Sequence, residues 1–233
     1  FDSLFEEVTI RTLPKRKKVV ANCDNSGTNN VTKEIQNLID NLKEDEELVF
    51  KKGTYLCGAL FVSSNKRIYL EKDATIKGSG MALDYPYINS RFEGIEMVCR
   101  SSLINIGELD HAKGYTTSNI VIYGEGSIIG GGLELLKDTI LKEKPTATEE
   151  DFNKNGAEGR KRGRLINISN AENVVLSGLT MGFSPSWNIH MIYSSNVVTC
   201  NCFIKSYGVH NGDGWDPDSS TNCTLFGTTF DVG

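Results

Sequence analysis

The chain has 233 residues, a net charge of −5, 24% charged and 39% apolar residues, enough for one large domain with a substantial core. Its acidic balance argues against nucleic acid as a partner, and no apolar run approaches the ~20 residues that cross a bilayer. The six cysteines, at 23, 57, 99, 200, 202 and 223, form no C-x-x-C pair and match no zinc spacing. They read as reduced core residues, with no metal site and no cofactor expected.

The sequence opens Phe1-Asp2-Ser3, with neither a methionine nor a basic-then-apolar leader. An extracellular or periplasmic location is expected if a leader has been removed, a cytoplasmic one otherwise. Residues 6–10 have the composition of a short strand. Residues 22–30 are turn formers and read as loop. Ile35, Leu38, Ile39 and Leu42 recur at helical spacing, which predicts an amphipathic helix over 32–43 with Thr32 as N-cap. Beyond residue 47 the pattern changes to apolar runs of three to five residues bounded by Gly, Asn, Ser or Lys, the signature of short strands. Leu135, Leu136, Ile140 and Leu141 suggest a second, shorter helix. Residues 142–164 are polar and carry Pro145, Gly156, Gly159 and Gly163, so they read as a long inserted loop.

Three segments align without gaps: Asn173-Val-Val-Leu-Ser-Gly, Asn196-Val-Val-Thr-Cys-Asn and Asn222-Cys-Thr-Leu-Phe-Gly. Asn119 opens a looser copy and Asn65 a further, shifted one. A period in the twenties means stacked supersecondary units, and two short alternating strands per unit without a helix mean coils of a β-helix. The alignment predicts stacked inward positions: Val174, Val197 and Cys223; Leu176, Thr199 and Leu225; Leu179, Cys202 and Thr228; Met181, Ile204 and Phe230. The asparagines read as turn residues, because Asn tolerates left-handed backbone. The expected architecture is a single all-β domain over 1–233, with a cap over about 1–46 and coils over about 47–233.

Chemistry concentrates in His210-Asn211-Gly212-Asp213-Gly214-Trp215-Asp216-Pro217-Asp218. On composition alone this is a turn rich in Asp, Gly and Pro. The alternative is a ligand site in which Gly212 and Gly214 admit close approach and Trp215 offers a face to a sugar ring. Its context favours the second reading. Phe183-Ser-Pro-Ser-Trp-Asn-Ile-His190 stands upstream, with Ser219-Ser220, Asn222 and Phe230-Asp-Val-Gly233 downstream. This order resembles glycoside hydrolase family 28, the polygalacturonases, in its S-P-x-W-x-I-H, N-x-D-G and D-P-D-S-S motifs. Gly53-Thr54-Tyr55 and the Gly126–Gly132 run extend the resemblance toward the N-terminus.

That resemblance implies a right-handed parallel β-helix, a galacturonan or pectic substrate, and hydrolysis of α-1,4-galacturonosyl bonds with inversion. It implies a monomer that needs no cofactor. It makes Asp213 one of three catalytic aspartates, with Asn211 nearby. The family's Asp-Asp pair, G-H-G and R-x-K motifs would follow Gly233, so a fragment without activity of its own is expected. Two positions depart from the pattern: Gly212 replaces the usual threonine, and Trp215 a smaller apolar residue. Further candidates for substrate contact are His210, Lys205 and Arg162, the last within the basic run Arg160, Lys161, Arg162 and Arg164. A solvated loop is the plainer reading of that run, and a structural histidine that of His190. Asp216 and Asp218 read as turn or coil-capping residues. A calcium-dependent lyase or a non-catalytic polysaccharide-binding β-helix are the competing functions.

Overall fold

The computed structural model describes residues 12, 14–153 and 158–233. The strand expected at 6–10 lies outside them. The fold is a right-handed parallel β-helix. Its three walls are two seven-stranded sheets and one five-stranded sheet, in which the strands pair parallel. A typical coil runs through Ala171–Ser177 on the first sheet, Thr180–Gly182 on the second and Ile189–Ile192 on the third. The next coil repeats this as Ser195–Cys200, Phe203–Ser206 and Trp215–Asp218.

The strands are short because each turns a corner, and asparagine makes one of those corners. Asn65, Asn119, Asn173, Asn196 and Asn222 all have positive φ, between 51° and 64°. The side-chain amides of Asn119, Asn173, Asn196 and Asn222 each donate to the side-chain carbonyl oxygen of the asparagine in the preceding coil, at 3.0–3.2 Å, and that of Asn65 donates to Glu44 Oε1 at 2.7 Å. The period of the sequence is therefore a continuous amide ladder. Asn173→Ala removes two rungs and leaves a β-carbon in left-handed backbone. We expect a loss of about 1–2 kcal/mol in urea unfolding. Asn173→Gly should lose less, because glycine tolerates the backbone angle. Equal stability of the alanine variant would show that the ladder contributes nothing.

Inside, the expected rows are in register: Val174 with Val197, Leu176 with Thr199 and Leu225, Met181 with Ile204 and Phe230. Cys57, Cys99, Cys200 and Cys202 are buried, and none of the six cysteines forms a disulfide. A coil cannot bury its apolar edge alone, and burial of each Ile or Leu between neighbours contributes ~1.5–3 kcal/mol.

The helix α1 (Thr32–Asn41) closes the N-terminal end with Ile35 and Ile39 buried. Thr32 is its first residue rather than its cap; Asn30 Oδ1 accepts from the Thr32 amide at 3.0 Å. Residues 26–30, expected as loop, form a strand, because Asp24 first turns the chain through bonds to Ser26 and Asn29. Gln36 of α1 bonds both the amide and the carbonyl of Phe61, at 2.8 and 2.9 Å. It thereby supplies partners to Leu60–Val62, the edge strand of the third sheet, which would otherwise offer free backbone groups.

Long excursions leave the coils at one corner, between the second and third sheets. They are an antiparallel hairpin (Tyr87–Phe92 with Ile95–Arg100), the helices α2 (Gly132–Glu143) and α3 (Glu149–Phe152), and the turn 207–214, while α1 stands where the first coil has no third-sheet strand. The predicted second helix exists and is longer than the first, at 12 residues against 10. Stacking places these excursions side by side, although they come from separate stretches of sequence.

Candidate functional site

The turn carrying Asp213 lies at that corner, leading into Trp215–Asp218. Two upstream residues hold it. The Asn188 amide donates to the Asp213 carbonyl at 2.9 Å, and its side-chain amide donates to the same oxygen at 2.8 Å. Arg162 Nη2 donates to the His210 carbonyl and to Asn211 Oδ1, both at 3.0 Å. The Asp213 and His210 side chains remain exposed, while Asn211 sits in left-handed backbone at φ 57°. The turn thus presents a free carboxylate on a fixed main chain.

Arg162 is 1% and Arg164 2% exposed, so this basic pair is neither a solvated loop nor an open grip for a substrate carboxylate. Arg162 Nε donates to the Pro185 carbonyl at 2.7 Å, and Nη1 to that of Gly159. Arg164 donates to the Arg162 and Arg91 carbonyls at 2.8 and 2.7 Å. Its guanidinium lies over Phe92 and Trp187, whose rings stack at 4.7 Å. Burial first, then the neighbouring Arg164, pulls the Arg162 pKa down to about 9. Such burial is sustained where the charge is extensively hydrogen-bonded; here both guanidiniums brace the site's main chain, although Arg164 Nε has no hydrogen-bond partner.

The third sheet alternates side chains between core and outside. Its outward row is Phe61, Asn105, Asn167, His190 and Asp216, in register. Trp215 falls in register with Ile189, on the inward row. It packs against the core and its indole donates to Thr199 Oγ1 at 3.1 Å. The expectation of a sugar-stacking Trp215 is therefore corrected. So is the reading of Gly214 as room for a ligand, because a β-carbon there would stand 2.4 Å from the Phe230 ring. At Gly212 a β-carbon meets nothing closer than 3.4 Å, so the threonine usual in the family motif would fit. Lys205 is on the second sheet, 3.8 Å from Asp231 and 5.4 Å from the Tyr207 ring.

Asp216, His190 and Asn188 were not singled out by the sequence as site residues, yet each has a buried polar atom without a protein partner: Asp216 Oδ2, His190 Nδ1 and Asn188 Oδ1. Such orphans concentrate where a site receives something from outside. Burial, then the charge of Asp213, raises Asp216 to about 7. Burial, then Arg164 and Arg91, lowers His190 to about 2 and keeps it neutral. Only the order of charges along the row carried this information, and it becomes readable once the strand register is known.

The Asp216 shift has a sign that can be checked. Its folded pKa lies above the unfolded value near 4, so between about pH 4 and 7 the folded state binds more protons than the unfolded one. Stability from this group therefore declines as pH rises through that window. Asp216→Asn removes the decline, and we expect it to gain on the order of 1–2 kcal/mol relative to wild type at pH 8 against pH 4. A difference between the two proteins that stays constant with pH in urea titrations would exclude a raised Asp216.

The hairpin spans the outward row upstream of Asp213. Arg91 contacts Asp218 at 3.2 Å and Ser219 at 2.8 Å, and Arg160 contacts Glu93 at 2.9 Å. Glu96 accepts from Tyr193 and pairs with His111, both at 2.8 Å. Beneath it Asn105, Asn167 and His190 are only 1–2% exposed. A groove along the third sheet is thus closed on that side of Asp213.

No family model matches the chain. It is 25% identical over 232 residues to an exo-poly-α-D-galacturonosidase of Dickeya chrysanthemi, covering 89% of this chain and 38% of that protein. Its fold superposes on the family 28 exopolygalacturonase of Yersinia enterocolitica with a TM-score of 0.84 and 27% identity, over 97% of this chain and 45% of the other. In sequence and fold the chain resembles family 28 polygalacturonases. A hyperthermoactive exopolygalacturonase from Thermotoga maritima is similar at a TM-score of 0.76 and 26% identity, over 95% of this chain and 54% of that one. The chain therefore spans about a third to a half of the length of these relatives.

Proposed function

We propose that the complete protein hydrolyses α-1,4-galacturonosyl linkages of polygalacturonate with inversion, and removes residues from a chain end. The observation that carries this reading is the exposed Asp213 carboxylate on a turn whose main chain is braced by Asn188 and Arg162. Inversion needs one carboxyl to protonate the leaving oxygen and another to activate water across the ring, about 6.5–9.5 Å away. Asp213 serves the water. The acid is a second carboxyl that inversion requires on the other side of the glycosidic bond. Asp216, near neutral charge beside it, keeps Asp213 from facing a second full negative charge. Lys161, Arg162 and Arg164, held on main-chain carbonyls, supply local positive charge for a polyanion on an acidic body.

The hairpin supports the end-acting mode, because a polymer cannot lie through a groove that is covered over the outward row. The substrate is expected to enter from the open side only. The test is product release from polygalacturonate by the complete protein, with the anomer followed by proton NMR. Short products from the first time point, released as the inverted anomer while viscosity lags behind bond cleavage, are expected. An early mixture of chain lengths overturns end action. An unsaturated, ultraviolet-absorbing product overturns hydrolysis and favours the lyase. No cleavage of any galacturonan favours the non-catalytic binder.

A further inference from the structure

On the side of the hairpin away from Asp213 there is a cavity of about 550 Å³. That falls within the roughly 300–1,000 Å³ of small-molecule sites. Its floor is the upstream part of the same outward row, Asn105 and Asn167, and its walls come from the hairpin, α1 and the segment 107–117. Phe61 and Tyr87 line it and are 37% and 46% exposed. Arg100 lies 4.0 Å from the Tyr87 ring centre, fixing that ring in place. Phe61 is fixed through its main chain by Gln36.

The lining contains no Lys, Arg or His. Its two carboxylates are engaged from outside: Glu108 by Lys113 at 3.3 Å, and Asp40 by Gln36 at 2.7 Å. The hairpin thus separates a cation-bearing corner, with Arg91 and Arg160 to Arg164, from a cavity whose lining holds no cation, the adjoining Lys113 and Arg100 being paired with Glu108 and Asp110 and with Glu143. A galacturonate chain has nothing to pair with there and meets two carboxylates. What remains is aromatic surface, from Phe61 and Tyr87, rimmed by the amide of Asn89 and the hydroxyl of Ser63. Aromatic faces suit the C–H faces of sugar rings, and amides and hydroxyls suit uncharged hydroxyl groups.

We propose that this cavity binds a neutral oligosaccharide of two or three residues, separately from the galacturonan cleft. A polysaccharide with an acidic backbone and uncharged branches would then be held on both sides of the hairpin. The proposal does not depend on the hydrolytic reading, and binding alone tests it.

The complete protein is titrated calorimetrically with galactan, arabinan and xylan oligosaccharides of three to four residues. One of the three is expected to bind at a single site, with Kd on the order of 1 mM. Phe61→Ala should weaken it about fivefold or more while leaving turnover of galacturonan unchanged. Saturating trigalacturonate should not displace it. Asn89→Ala, an exposed position, gives the same reading if the Phe61 variant fails to fold. Absence of binding across all three series overturns the proposal. So does displacement by trigalacturonate, or binding that neither variant alters.

Discussion

Asp213→Asn in the complete protein lowers kcat on polygalacturonate by about 10²–10⁴-fold, the usual contribution of a positioned acid–base group. KM is expected to stay within about twofold, because the substitution removes a proton acceptor and leaves the shape intact. The fold should not register the change. The turn is held through the Asp213 carbonyl and through Arg162, not through the Asp213 carboxylate, so unfolding in urea should shift by less than about 0.5 kcal/mol. Steady-state rates with reducing-sugar detection decide the matter. A variant retaining a tenth of the wild-type rate or more would remove Asp213 from the chemistry and leave the binding reading in its place.

Arg162→Ala acts on the same site through its foundation and is expected to give the largest stability change. It removes the donor to Pro185, His210 and Asn211 at once, and leaves a hole beside Phe92, whose ring centre is 5.4 Å from the guanidinium. Deleting one partner of a buried charged network costs about 3–5 kcal/mol. Activity should fall together with stability, since the main chain that fixes Asp213 loses a brace. Arg162→Lys should not rescue it, because a single ammonium cannot reach acceptors that a planar fork reaches together. Chemical unfolding of wild type and both variants provides the check. A lysine variant as stable and active as wild type would mean that the charge matters and the fork does not.

The coils were legible in the sequence because a β-helix is nearly one-dimensional. Each coil touches only its neighbours, so the period of 23 to 26 residues, the asparagine corners and the inward rows are written locally. Asn173, Val174 and Leu176 could be placed against Asn196, Val197 and Thr199 before any coordinates were known, and the register agrees. The likeness to family 28 was legible in the same way, in motifs contained within single corners. The sequence by itself therefore determined the fold class, the asparagine corners and the candidacy of Asp213.

Tertiary structure decided what the excursions do. Arg160 to Arg164 has the composition of a solvated run, and nothing within it announces that two guanidiniums are buried. Their partners Phe92, Trp187 and His210 come from the hairpin, the connection 183–188 and the turn 207–214, brought together only because these segments leave the coils at one corner. Trp215 turned inward because pairing with Ile189 fixes its parity, and a strand offers a side chain only two directions. The same parity put His190 and Asp216 on one outward row, where burial and charge set their protonation. A hairpin of sequence-distant residues then covered that row. Local patterns carry the repeat because its contacts are between neighbouring coils. The site's electrostatics depend on which excursions meet, and only the stacking of the coils determines that.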